Sequence, residues 1–494
     1  MKHEAPDKAV IASDALERLD QMPWSRFHTT LTLALGVGWA LDSFETNIIG
    51  SVLGILKDHW HLSAEQGGWV VSTWVGGMMV GALLFGYLAD RFGRKWLFLA
   101  TLLWYALFSV LTVFSWNFES FLVFRALTAL AVGGEYAAVT AAMGEFIPRK
   151  HRGKTDSLIL SGFPLGALAS AGVAYAVLQT LPADIAWRVG FGLGTTMAIA
   201  FFWIRKVIPE SPRWLIQQGR IAEAEAIVDR IASFARPEDK EAAARRWPPV
   251  AVTVMPITIA RTVRTLINPY GGRLLLASAL NFSQAAVVYG VISLMSLVTL
   301  PYMQVPAIDL PLYYAAGNAT ALLGGLTAAL LVDVWGRRAS LLASYSFTMA
   351  AAVFLYAADS LPAMVAGYCL VQFGVTWAYI SAYVISAEIL PTHIRATGLG
   401  ASVALGRLGA VLAPPLLTGA FAAYHHPSAA LLVLLLLTAP GPIAAAFWWV
   451  RGRETRGLSL EAGSLTGTPD PVTTHAGISR PAANPHSSWS EVKP

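Results

Sequence analysis

Twelve stretches of the chain are long and apolar enough to cross a hydrocarbon core, and this pattern constrains the fold more than any motif. A core about 30 Å thick takes roughly 20 helical residues at 1.5 Å each, because in lipid each backbone N–H and C=O must be satisfied internally. The stretches run over 27–56, 67–88, 96–115, 121–147, 156–178, 187–207, 274–299, 311–331, 339–358, 363–388, 397–419 and 429–450. Only 13% of residues are charged and 55% are apolar, where a soluble domain carries about a quarter charged. An all-α membrane protein of twelve transmembrane helices is expected.

The pI of 9.2 does not signal nucleic-acid binding, because the bases cluster at alternate helix ends. Arg91, Arg94 and Lys95 follow the second stretch, Arg149, Lys150, Arg152 and Lys154 the fourth, and Arg337 and Arg338 the eighth. The opposite-side loops hold one lysine, Lys57, and no arginine outside the span ends. Both termini and the 208–273 connection are therefore expected to be cytoplasmic, in a multi-pass protein of the cell membrane (the inner membrane in a Gram-negative bacterium). Residues 1–26, with acids among their bases, lack a signal-peptide pattern and read as a cytoplasmic segment. The single cysteine, Cys369, excludes an internal disulfide and a multi-cysteine metal site. No Walker motif or nucleophile elbow is present, which disfavours a primary pump or an intramembrane enzyme.

The two halves share one register. "GYLADRFGRK" (Gly86 to Lys95) follows the second stretch and "ALLVDVWGRR" (Ala329 to Arg338) the eighth, with Asp90 and Asp333 243 residues apart. "EFIPRKHRG" and "EILPTHIRA" repeat an E-x-x-P-x-x-x-R spacing, Glu145, Pro148 and Arg152 matching Glu388, Pro391 and Arg395 at the same offset. A looser pair, "PESPRWL" (Pro209 to Leu215) and "RETRG" (Arg453 to Gly457), closes the two halves. The pattern indicates a duplicated six-helix unit: bundles at 27–207 and 274–450, a linker at 208–273 and a tail at 451–494. The linker reads as surface helices of alternating charge, and the tail, rich in Ser, Thr, Pro, Gly and Ala, is expected to be largely disordered.

"GYLADRFGRK" resembles the loop signature of the major facilitator superfamily. "PESPRWL", the paired E-x-x-P-x-x-x-R segments and "RETRG" resemble its branch of sugar porters, organic-ion transporters, aromatic-acid/proton symporters and niacin-type transporters. The resemblance covers about 27–457 and implies two pseudo-symmetric six-helix bundles rocking about a central site. It places Asp90, Arg91, Arg94, Glu145, Arg152, Asp333, Arg337, Glu388 and Arg395 at cytoplasmic helix ends, where acids and bases from different helices can pair and hold that side shut. Topology determinants and solvated caps are the alternative role for these residues.

Five ionisable residues lie inside the stretches: Asp42, Glu45, Arg125, Glu135 and Arg407. Such groups are costly in lipid and are functional candidates. Asp42 and Glu45 share a helix face at i, i+3, and two carboxylates so close in low dielectric cannot both stay ionised, so one can carry a proton. "SFETNIIG" resembles the sugar-porter G-Y-D-T segment, and "LDSFE" the D-G-x-D motif of aromatic-acid symporters. Both resemblances cast Glu45, with Asp42, as a proton-coupling site. A structural pair bonded to neighbouring helices is the alternative.

"RALTALAVGGE" resembles a family helix whose Arg, here Arg125, pairs with the helix-1 acid, and snorkelling to the outer surface is its alternative. Glu135, ten residues deeper and after Gly133 and Gly134, is a candidate for coupling or for structural pairing. Arg407, flanked by Gly406 and Gly409, needs a carboxylate partner or an anionic ligand. "PTHIRATGLG…GRLG" resembles the organic-ion and aromatic-acid branch, which favours a carboxylate substrate.

Trp74, Asn281, Gln284, Tyr289, Trp377, Tyr379 and Tyr383 are candidate cavity-lining residues, with helix packing as their alternative. "NFSQAAVVYG" lacks the paired glutamines and G-x-N of sugar porters, and "FGVTWAYI" lacks their G-P-x-x-W, which weakens a hexose reading. The expectation is a monomeric proton-coupled symporter that imports a small organic anion, an aromatic or other monocarboxylic acid, with the proton as coupling ion and no other cofactor. The same fold carrying a sugar, nicotinamide or an amine, or exporting by proton antiport, stands as the alternative.

Overall fold

A computed structural model of the chain describes residues 9–452 and Glu454, apart from 93, 149, 152–154, 156–157, 183, 195–208, 249, 255–267, 269 and 391–394. Side chains at 9–12, 86–87, 89–99, 135–145, 217, 250–254, 333, 387 and 395–397 also lie outside the described set.

The first half begins with a short helix, α1 (Ala15–Gln21), followed by α2 (Arg26–His59), α3 (Ala64–Phe92), α4 (Arg94–Val113), α5 (Phe118–Phe146), α6 (Gly162–Thr180) and α7 (184–194). The linker follows, with α8 (Pro212–Gln217), α9 (Ile221–Ala232) and a short helix at Lys240–Ala244. The second half contains α10 (Gly271–Leu294), α11 (Leu310–Val334), α12 (Arg337–Tyr356), α13 (Leu361–Glu388), α14 (Arg395–Tyr424), α15 (Pro427–Thr438) and α16 (Pro440–Arg451). Among the described residues, eight helices are long and apolar enough to span a membrane. Several outrun their expected spans: α2 extends to His59, and α10 continues through a π turn (Met295–Thr299) to Tyr302. The last span is broken into α15 and α16, where Pro440 and Pro442 cannot donate backbone N–H groups.

The 243-residue register governs how helices cross. A Cβ on Gly81 would overlap the Leu130 carbonyl of α5, and at the same offset a Cβ on Gly324 would overlap the Phe373 carbonyl of α13. Gly166 meets the Ala40 carbonyl of α2, and Gly409, again 243 residues on, meets the Phe282 carbonyl of α10. The α3–α5 and α11–α13 crossings are thus equivalent, as are α2–α6 and α10–α14. Without water to drive association in lipid, such small-residue contacts let backbones approach and gain dispersion.

The halves meet along α2, α3 and α6 on one side and α10, α11 and α14 on the other. At the end far from the termini, Gly50 packs on Ile292 and Tyr314, Gly67 on Leu297, and Gly68 on Thr418 and the Pro414 carbonyl. Ser296 Oγ donates to the Gly50 carbonyl at 3.0 Å. Nearer the middle, Asn318 Nδ2 donates to the Ala167 carbonyl at 3.1 Å. Pro415 deprives the Val411 carbonyl of its intrahelical donor, and Ser72 Oγ of α3 supplies one at 2.8 Å. Pro442 does the same to Thr438, whose carbonyl accepts from Ser283 Oγ at 2.8 Å.

At the terminal end the linker helices pack against the ends of the bundle as one layer with the N-terminal segment. Residues Ala9–Ser13 pair antiparallel with Val250–Val254. Leu19 of α1 and Met22 at its end share a core with Val228 and Ile231 of α9 and with Phe27, Leu31 and Leu35 of α2. The helical moment of α9 explains this: its apolar face had to be covered, and α1 covers it. Arg18, buried, reaches Asp229 at 2.6 Å, and Asp14 accepts from the Trp247 N–H at 3.2 Å.

Candidate functional site: a buried ion pair between α2 and α5

Helix α5 starts where Asn117 and Ser120 cap each other: Asn117 Oδ1 accepts from the Ser120 N–H at 2.8 Å, and Ser120 Oγ from the Asn117 N–H at 3.2 Å. The cap fixes Arg125 about 10 Å along the helix from its far end. There it meets α2. Arg125 Nη1 donates to Glu45 Oε1, and both side chains are 1% exposed. Arg125 Nη2 also lies 3.5 Å from the Glu45 carbonyl.

The rest of the guanidinium is held by aromatic faces. Its carbon sits 3.8 Å from the centroid of Trp74 on α3 and 4.6 Å from that of Phe191 on α7. A cation is attracted to a ring quadrupole most strongly where water is absent. Beyond Phe191, Phe121, Trp187 and Trp60 pack edge to face or tilted against one another on the far side of the pair. Trp74, a candidate cavity residue in the sequence, therefore belongs to the arginine's cage.

Among the described residues, two carboxylate oxygens in this site have no hydrogen-bond partner: Glu45 Oε2 and Asp42 Oδ2. Glu45 Oε2 presses on Gly194, where a Cβ would overlap it and would lie 3.4 Å from the Tyr105 hydroxyl. That hydroxyl donates to the Gly194 carbonyl at 2.9 Å. Asp42, one turn along α2, is 7% exposed. A buried ion pair flanked by a second carboxylate can hold a proton and exchange it for the arginine's attraction. Among the described residues, no three His, Cys, Asp or Glu side chains gather as a metal site.

The second-half candidates are distributed differently. Arg407, partly buried on α14, donates from Nη1 to the Met78 carbonyl of α3 at 3.2 Å and so joins the halves at mid-depth. Gly406 and Gly409 let it do so by bringing α14 against the backbone of α10 at Asn281 and Phe282. Asn281 Nδ2 is taken up by the Ala277 carbonyl at 2.9 Å and lies 3.5 Å from Ser386 Oγ. Gln284 and Tyr289 are partly buried further along α10. Trp377 is not brought to this region: its Nε1 donates to Ser340 Oγ at 3.0 Å, and its ring packs on Phe373 and Trp335. Tyr379 and Tyr383 pair at 6.4 Å, and Tyr383 reaches the first-half core near the termini.

Of the terminal-end acids and bases, Arg337 Nε lies 3.3 Å from Glu388 Oε1. Glu454, from "RETRG", accepts from the N–H groups of Arg337 and Arg338 at 2.9 and 3.1 Å, which caps α12. Gly336, at φ +87°, makes the turn that exposes these donors. The side chains of Asp90, Arg91, Arg94, Glu135, Glu145, Asp333 and Arg395, and all of Arg152, lie outside the described residues. Glu454, Phe191, Tyr105 and Gly194 escape a sequence reading. Only Glu454 had a signal there, as the second-half counterpart of "PESPRWL".

A family model described as "Sugar (and other) transporter" matches residues 41–462. The chain belongs to that family. It is therefore a multi-pass membrane transporter of the major facilitator type, not an enzyme. The niacin transporter NiaP of Acinetobacter baylyi is 31% identical over 91% of this chain and 99% of its own. The 3-(3-hydroxy-phenyl)propionate transporter of Escherichia coli is 26% identical, over 81% and 88% respectively. Among solved structures, the Escherichia coli proton:xylose symporter XylE superposes with a TM-score of 0.67 at 20% identity, covering 88% of this chain and 98% of its own. Such a likeness establishes the twelve-helix fold of this transporter family.

Proposed function

We propose that this transporter is a proton symporter that imports a small organic anion, an aromatic or other monocarboxylic acid. The buried Glu45–Arg125 pair beside Asp42 carries the reading. Taking two charges out of water is expensive, so an ion pair buried where two apolar side chains could pack supports a role beyond packing. Protonating Glu45 removes its attraction for Arg125 and frees α2 and α5 to reorganise. The positive-inside distribution assigns the terminal end to the cytoplasm, so the close-packed far ends of the halves correspond to a state closed to the outside. In the cycle, an outside proton reaches Glu45, substrate binds at Arg407, the outer side closes, and the acid–base contacts around Arg337 and Glu388 part for release.

The anionic substrate rests on Arg407 at the junction of the halves, the absence of sugar-porter residues on α10 and α13, and the relatives named for niacin and for hydroxyphenylpropionate, both carboxylic acids. A neutral or cationic substrate is the competing reading, favoured by the fold match to a xylose symporter. A thermal-shift panel of aromatic acids, aliphatic acids, sugars and amines on the purified protein separates the two. Stabilisation by acids that Arg407→Ala abolishes is expected, whereas stabilisation by sugars or amines alone contradicts the anion reading.

A further inference from the structure

Helix α10 does not reach the far end as a regular helix. Over Met295–Thr299 it widens into a π turn, in which the Leu300 N–H bonds the Met295 carbonyl instead of the carbonyl of Ser296. The Ser296 carbonyl thereby loses its regular helical donor, and the next residue, Pro301, has no N–H to replace it. Two hydroxyls here, Ser293 Oγ and Thr299 Oγ1, are fully buried and, among the described residues, have no hydrogen-bond partner. Orphaned buried groups are costly, and π turns gather at functional positions.

What the turn gains lies at the junction of the halves. Ser296 Oγ, also buried, reaches the Gly50 carbonyl of α2 at 3.0 Å and meets the Tyr314 hydroxyl of α11, which bonds the Ile292 carbonyl at 2.6 Å. Gly50 permits this approach, since a Cβ there would come within 3.1 Å of Ile292 and 3.2 Å of Tyr314. The next residue of the turn, Leu297, fills the space over Gly67 of α3, where a Cβ would come within 2.7 Å of it. The contacts with Gly50 and Gly67 exist only while the far ends are together. The orphaned groups are a cost of the turn itself, so once the halves part nothing offsets it.

We propose that the Met295–Thr299 turn is the switch of a far-end gate. With the halves together, Ser296 holds it as a π turn through the Gly50 carbonyl and the Tyr314 hydroxyl. When they part, it tightens into a regular helix, which returns the Leu300 N–H to the Ser296 carbonyl and lets the Thr299 hydroxyl bond the carbonyl four residues back. The inference rests on the reading of the packed far ends as one state of the transport cycle, and on no assignment of proton or substrate.

The test needs no substrate. Nitroxides on Glu65→Cys and Ala423→Cys, at exposed positions near the far ends of α3 and α14, in a Cys369→Ala background, report the separation of the halves by pulsed electron paramagnetic resonance. Ser296→Ala removes the latch and should raise the ratio of long to short distances about fivefold, the effect of one net hydrogen bond. Tyr314→Phe should act in the same direction and serves if Ser296→Ala does not fold. Thr299→Val keeps the shape and deletes the orphaned hydroxyl, so it removes a cost of the closed state and a bond of the open one. Added to Ser296→Ala, it should bring the ratio back toward the parent's. Distances that stay short in Ser296→Ala and Tyr314→Phe overturn the latch, and a Thr299→Val that leaves the ratio unchanged or raises it further overturns the switching turn. Gly67→Trp, a wedge against Leu297, should lengthen the distances whatever the turn does. If it does not, the far ends do not part and the reading of them as a gate fails.

Discussion

Glu45 on α2 and Arg125 on α5 form an ion pair from which water is excluded, each side chain 1% exposed. Removing one partner leaves the other charge buried, which costs about 3–5 kcal/mol, while removing both can be nearly neutral. Glu45→Ala and Arg125→Ala should each lower the melting temperature of the detergent-solubilised protein, and the double variant should recover much of the loss. Additive losses would show that the two residues are stabilised independently.

Ser72 on α3 supplies the hydrogen bond that Pro415 denies to the Val411 carbonyl of α14. Ser72→Ala leaves that carbonyl unsatisfied while the far ends of the halves are packed together, at a cost of about 1–3 kcal/mol. The population should therefore move away from far-end closure. Accessibility of cysteines introduced at the far end, measured with a membrane-impermeant thiol reagent, should rise in Ser72→Ala and stay low in the parent.

Glu454 caps α12 through the N–H groups of Arg337 and Arg338. Glu454→Ala should destabilise by about 1 kcal/mol, as lost caps do, and Glu454→Gln by less because one oxygen acceptor remains. Thermal melts of the two variants check this, with equal losses pointing to a purely electrostatic effect.

The sequence made the fold legible because lipid leaves a helix few alternatives and because the 243-residue register was written twice. Gly81 and Gly324, at equivalent close crossings, obey that register although only the loop motifs had revealed it. The Glu45–Arg125 partnership was anticipated from family resemblance. Its cage was not, because Trp74, Tyr105 and Phe191 are aromatic residues in aromatic-rich helices and nothing in their spacing separates caging from packing. Trp377 shows the converse, a polar-edged aromatic whose indole N–H is satisfied by Ser340 within one bundle. That α1 covers the apolar face of α9 was not legible, because the two segments lie some two hundred residues apart in the chain.

Proton-coupled uptake through Glu45 is tested most directly in proteoliposomes loaded at pH 7.5–8 (about neutral inside) and diluted into acid or matched buffer, using radiolabelled nicotinate, the acid its niacin-transporting relative is named for, as first probe. The account predicts accumulation above equilibrium only with acid outside, and only exchange without accumulation in Glu45→Gln. Accumulation that ignores the pH gradient, or that persists at full level in Glu45→Gln, would contradict it.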